Sequence, residues 1–175
     1  MITQQQTDEI RGWFVGRLPD GLFESVVSVT VDREEIVVIG AIPGPSLGDD
    51  ASDAERRGAI EGRVREFRER TRAERIEVAR EAEHRFDRKV SWGVECEGSR
   101  VLFTHLAAPV MTRLRQPDRQ VLDTLIAGGV ARSRSEALAW CVRLVQKHAD
   151  TWLDELRDSL ENVRRVREQG PDAQS

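Results

Sequence analysis

Two cysteines and three histidines supply the chain's only soft-ligand pairs. Cys141 and His148 lie seven residues apart. On a helix that spacing is two turns, about 10 Å, too far for one chain to close both on one ion. Cys96 and His105 form the other pair, and neither pair has the four-ligand spacing of structural zinc. Both cysteines sit in apolar-patterned segments, where a thiol packs as a small hydrophobe. That usage suits a reducing cytoplasm and gives no disulfide framework. His84 stands among alternating charges, and the acidic pair Asp49-Asp50 has no partner in the pattern. No phosphate-binding glycine loop, dinucleotide fingerprint, Gly-x-Ser-x-Gly or His-Glu-x-x-His occurs. The expectation is a protein that is not an enzyme, with no catalytic residues, no metal and no cofactor.

Charge is the more informative chemistry. The chain of 175 residues carries a net −4, unevenly distributed. Residues 1–50 hold 3 basic and 9 acidic side chains, net −6, and residues 51–108 hold 13 and 12, net +1. Residues 109–148 hold 7 and 3, net +4, and residues 149–175 hold 4 and 7, net −3. One short segment is basic inside an acidic protein, which is the pattern of a localised polyanion contact.

Within that basic segment, Val110 to Arg115 reads as a strand. Alternation puts Met111, Arg113 and Arg115 on one face and Val110, Thr112 and Leu114 on the other. A helix opened by proline follows from Pro117 to Ala127, with Val121, Leu122, Leu125 and Ile126 apolar, and Gly128-Gly129 ends it. Ser133-x-x-Glu136 caps the next helix, whose stripe is Leu138, Val142 and Val145.

The order of these pieces resembles the ribbon-helix-helix family of DNA-binding proteins. The resemblance rests on Val110-Met111-Thr112-Arg113-Leu114, Val121-Leu122-Asp123-x-Leu125 and Ser133-Arg134-Ser135-Glu136-Ala137-Leu138, about 40 residues in all. It departs from the family at Thr112, where a larger apolar residue is usual, and in the long segment before the motif. The resemblance implies a homodimer in which each chain gives one strand to an antiparallel ribbon in the DNA major groove. Met111, Arg113 and Arg115 would then contact bases, since arginine pairs bidentately with guanine. Arg132, Ser133, Arg134 and Ser135, at a helix N-terminus, would contact phosphates.

The elements that must position this segment can be read from pattern. A short helix opens at Thr7, carries Ile10, Trp13, Phe14 and Leu18, and stops at Pro19-Asp20-Gly21. Residues 23–31 and 36–39 form a hairpin about Asp32-Arg33-Glu34, its second strand apolar on both faces and expected to be covered on both. After a Pro/Gly loop, helices span 53–70 and 72–86, opened by Ser52-x-x-Glu55 and Thr71-x-x-Glu74. Their stripes are Ile60, Val64 and Phe67, then Ile76, Ala79, Glu83 and Phe86, and their many charges read as a solvated face laced with i,i+4 pairs. Lys89–Cys96 and residues 100–106 form a second hairpin about Glu97-Gly98-Ser99.

The expected fold class is therefore α+β. An N-terminal α+β domain over 1–106 (helix, hairpin, helices, hairpin) serves as a sensor or oligomerisation unit. A ribbon-helix-helix module follows over 107–169, and 170–175 is a disordered tail. The final helix is expected to run unbroken from Ser133 to about Glu168, roughly 50 Å. No run approaches the 18 apolar residues of a membrane span. The expected function is a cytoplasmic, bacterial, dimeric transcriptional regulator or repressor that binds double-stranded DNA. An effector or protein partner would act at the N-terminal domain. The alternative is a protein-interaction module, antitoxin-like or scaffolding, in which the helical part only dimerises the chain. A third reading, a KH-like RNA-binding fold around residues 72–96, lacks the Gly-x-x-Gly loop.

Overall fold

The computed structural model describes residues 3–48 and 50–169. The fold is α+β, with six helices and one four-stranded sheet among these residues. The chain divides into two compact units, Met1–Pro109 and Val110–Ser175. The tail expected to be disordered, 170–175, lies outside the described residues.

In the N-terminal unit, α1 (Gln4–Arg17) starts three residues before the expected Thr7, because Thr3 and Gln6 form a reciprocal capping box. Ile10 and Phe14 are its buried positions. Strands β1 (Ser25–Val31) and β2 (Glu35–Ala41) pair antiparallel about a turn in which the Asp32 carboxylate accepts from the Glu34 and Glu35 amides at 2.8 and 2.7 Å. Helix α2 (Asp53–Arg70) begins at the Ser52/Glu55 box and runs into α3 (Arg72–Phe86). The second expected box does not form. The Thr71 hydroxyl is buried and donates to the Phe67 carbonyl at 2.7 Å, so no side chain caps α3.

Strand β3 (Lys89–Cys96) returns parallel to β2, in register Val38 to Trp92. The two-helix connection supplies the crossover that parallel pairing needs. Glu97 and Gly98, both at positive φ (47° and 76°), make the tight turn into β4 (Ser99–Leu102). Two successive positive φ values match the twist of a two-residue hairpin. The sheet order is β1-β2-β3-β4.

One core joins the three helices to one face of the sheet: Phe14 from α1, Val64 and Phe67 from α2, Val78 and Ala82 from α3, and Ile36, Val38, Trp92 and Val94 from the strands. The other face of β2 is covered in part, as its apolar sequence suggested: Ile39 is buried at 6% exposure while Val37 stays half-buried, and neither belongs to this core. Gly40 is required where it stands, since a Cβ there would lie 2.1 Å from the Phe23 ring.

In the C-terminal unit, α4 (Gln116–Ala127), α5 (Arg134–His148) and α6 (Asp150–Gln169) follow one another. The final helix is not continuous. Ala149 leaves helical geometry (φ −128°, ψ 23°) and its amide bonds Val145, so the stretch breaks where the apolar stripe lapses. No described helix is long and apolar enough to cross a membrane.

Candidate nucleic-acid interface

Residues 110–115 form no strand in the single chain. No second strand exists there for them to pair with, and no backbone ladder bond engages Val110 to Arg113 among the described residues. Val110 is 86% and Met111 97% exposed. Leu114 alone turns inward, against a small core of Leu122, Ala131 and Ala137. The segment is fastened at that end: Arg119 Nη1 donates to the Leu114 carbonyl at 2.6 Å, and the Arg115 amide donates to the Asp118 carboxylate at 3.3 Å.

The turn between α4 and α5 follows from its residues. Gly129 takes φ +74°, a conformation that costs glycine little. The Ser133 hydroxyl accepts from the Glu136 amide at 3.2 Å, and the Glu136 carboxylate reaches back to the Arg132 amide at 2.8 Å. Arg134 bonds Asp123 through Nε and Nη2, both at 2.8 Å, tying the start of α5 to α4. This fork–fork geometry is the stronger form of ion pair.

Of the residues expected at a DNA surface, Met111, Arg113, Arg115, Arg132, Ser133 and Ser135 are exposed and carry no side-chain ion pair among the described residues. Arg134 is exposed but engaged by Asp123, so its first structural role is to position the helix. Thr112, expected to face the core, is exposed in the single chain.

The Asp123–Arg134 pair makes a testable contribution. The guanidinium's hydrogen bonds hold the Asp123 carboxyl below the ordinary aspartate range, and the carboxylate raises Arg134. A depressed folded-state value stabilises the fold at pH above the ordinary range, and that help is lost as pH falls through the folded value. In an NMR titration Asp123 is expected to protonate at lower pH than an unpaired aspartate, and Arg134→Ala to move it back up. An ordinary titration in the unaltered chain would show that the pair does not persist in solution.

Cys96 is buried, its Sγ 4.0 Å from the Pro43 carbonyl, and burial pushes its thiol up. Cys141 packs part-buried on the small C-terminal core.

The sequence reading missed one cluster. Of the charged helices, α2 carries two of the expected i,i+4 pairs, Glu61–Arg65 and Glu66–Arg70, while the ion pairs of α3 among the described residues reach to other elements. The two helices also bury Arg75, 7% exposed, beside a cleft that Arg68 and Arg72 line. A signal was present: Arg75, Val78 and Ala82 fall at helical spacing, and these three are the buried positions of α3.

Comparison with known proteins corrects the family assignment. No ribbon-helix-helix profile matches. Residues 8–102 match the N-terminal domain of Rv1265-like proteins, and residues 115–167 match the Mb1296 C-terminal domain. The matched C-terminal region begins after the segment 110–114 on which the resemblance leaned, and the remaining helix signals are common to many helical pairs. The uncharacterized proteins Mb1296 of Mycobacterium bovis and Rv1265 of Mycobacterium tuberculosis are each 56% identical over 160 residues, covering 91% of this chain and 69% of theirs. No solved structure matches. With both halves matched in chain order and more than half the chain under the first profile, the chain belongs to the Rv1265-like protein family.

Proposed function

We propose that the protein binds double-stranded DNA through its C-terminal unit, as a cytoplasmic homodimer acting as a transcriptional regulator. The observation that carries this reading is the open segment 110–115. It is exposed and without a strand partner, with Leu114 anchored inward and Met111, Arg113 and Arg115 exposed. A second copy of the same segment supplies the missing strand, and a two-stranded ribbon fits the major groove. Two further features support a dimer. Three buried residues are too small a core for an independent fold. Val142 and Val145 on α5 stand 62% and 54% exposed, an apolar face that a second chain would cover.

Sedimentation of the full chain is expected to show a dimer. Mobility shifts on fragments of the source genome, repeated over a salt series, are expected to show a bound fragment whose log affinity falls linearly with log salt, about 0.9 unit for each phosphate neutralised. A monomer, or no shift on any fragment at low salt, would reject the proposal.

A second reading has its own observation. Trp152, Leu156, Leu160 and Val163 recur along α6 at helical spacing and are all more than 40% exposed. Such a stripe fits a partner helix. It gains ground if the protein is dimeric yet shifts no DNA.

A further inference from the structure

We propose that the cleft between α2, α3 and β3 in the N-terminal unit binds a small phosphorylated molecule carrying an apolar or ring-shaped body. The site lies wholly within the N-terminal unit and does not depend on the DNA-binding reading. The cleft encloses about 480 Å³, within the range that holds small-molecule ligands.

Its chemistry is unbalanced in two ways. First, Arg65, Arg68, Arg72 and Arg75 line it against a single carboxylate, Glu69. Arg65 lies 3.7 Å from Glu61. Among the described residues, no carboxylate pairs with Arg68, Arg72 or Arg75. Arg75 is the deepest of the three. Its guanidinium donates to the Thr71 hydroxyl at 3.0 Å and to the Arg68 carbonyl at 2.6 Å, and it lies over the Phe103 ring at 4.9 Å. These neutral partners fix its direction without neutralising it. Burial, with Arg68 and Arg72 adding like charge, pulls its pKa down. A buried unpaired cation is costly, and an arriving anion removes that cost.

Second, Trp92 lines the same cleft at 3% exposure, and its indole nitrogen has no hydrogen-bond partner. An indole N–H only donates, so what is missing is an acceptor. Buried tryptophan usually finds one.

Together these features specify the ligand class. Three unneutralised guanidiniums exceed what a single carboxylate answers, whereas a phosphate ester brings more charge and suits the planar donor fork. Ile76, Ala79, Val90 and Phe103 give the cleft apolar walls for the rest of the molecule. A duplex backbone would ride over the rim, and Arg75 and Trp92 lie too deep for it.

The test is calorimetric titration of the full chain with inorganic pyrophosphate, phenyl phosphate and phenol, with tryptophan emission followed in parallel. Both phosphates are expected to bind, more weakly as salt rises, and phenol is not. Phenyl phosphate is expected to change emission, and Trp92→Phe to abolish that change. Arg68 and Arg72 are exposed, so replacing them leaves the core intact. Arg68→Gln and Arg72→Gln should each weaken phosphate binding about tenfold. Arg100→Gln, on β4 and paired with Glu95, should leave it unchanged. No binding of either phosphate at millimolar concentration overturns the proposal, as does binding that Arg68→Gln and Arg72→Gln leave untouched. If those two variants lose duplex DNA affinity while the small phosphates never bind, the cleft is a nucleic-acid surface and the proposal also falls.

Discussion

Phe14→Ala is expected to destabilise the N-terminal unit by about 3–5 kcal/mol, the usual cost of emptying a buried phenylalanine site. Phe14 is fully buried and sits edge-on to Trp13 at 4.9 Å and to Trp92 at 6.0 Å between ring centres. It and Ile10 are the buried residues of α1, with Trp13 packed part-buried beside them against Phe86, so Phe14 carries much of the helix's hold on the core. The exposed pairs of Arg17 with Glu77 and Glu81 on α3 do not replace that packing, because solvent screens surface ion pairs and their ordering costs offset most of the attraction. Against a typical total of about 5–15 kcal/mol, the loss is a large fraction of the stability. Urea unfolding followed by tryptophan emission measures it as a lowered midpoint. A shift equivalent to less than about 1 kcal/mol would mean that α1 is not docked as described, since even partial collapse of a phenylalanine cavity costs more.

The same region shows what the sequence could and could not disclose. The first β-hairpin, the bounds of α2 and α3 and the turn at Glu97-Gly98 were legible, because each is set by neighbours within a few residues: Asp32 in its turn, Ser52 with Glu55, glycine at positive φ. The parallel pairing of β2 with β3 joins residues some 54 positions apart and leaves no local mark. On α3 the stripe Ile76, Ala79, Glu83 and Phe86 holds in part, since Ala79 and Phe86 pack against the core, but the fully buried set Arg75, Val78 and Ala82 lies one residue earlier. The error has a physical cause: a pattern search treats arginine as solvent-facing, whereas its apolar stem lets it lie on a core face with the head bonded. The arginine cleft was therefore hidden behind a helix that read as a solvated surface. In the C-terminal unit the helices and their caps were legible, but the state of residues 110–115 was not. Their alternation reads as a strand, but a strand needs a partner to pair with, and the single chain offers none there. The expected continuous last helix failed at Ala149, where His148 and Ala149 had already interrupted the stripe.

Arg113→Ala is expected to reduce affinity for a mapped binding site by about 1–3 kcal/mol for each bidentate arginine–guanine pair removed. A homodimer carries two copies, so the combined loss reaches about 2–6 kcal/mol if both read guanine. The reason lies in the geometry of the open segment. Leu114 is held inward on Leu122, Ala131 and Ala137, and its carbonyl is fixed by Arg119, so the exposed side chains of its neighbours Arg113 and Arg115 project from an anchored base. Base readout and phosphate anchoring then separate by substitution. Arg113→Ala should relax preference at particular base positions. Arg132, whose exposed side chain has no carboxylate partner among the described residues, stands beside the N-terminus of α5. Arg132→Ala should weaken all duplexes alike and lower the salt slope by about one unit for each phosphate it no longer neutralises. Arg134→Ala is a less clean probe, because it also releases Asp123 and loosens the junction of α4 and α5. Thr112→Val is the control: on the alternation opposite Arg113 it should leave affinity unchanged or tighten the dimer slightly. The measurement is binding to the mapped site and to random duplex at several salt concentrations. If Arg113→Ala and Thr112→Val behave alike on both DNAs, the segment does not enter the groove, and the exposed stripe of α6 becomes the surface to test for a protein partner.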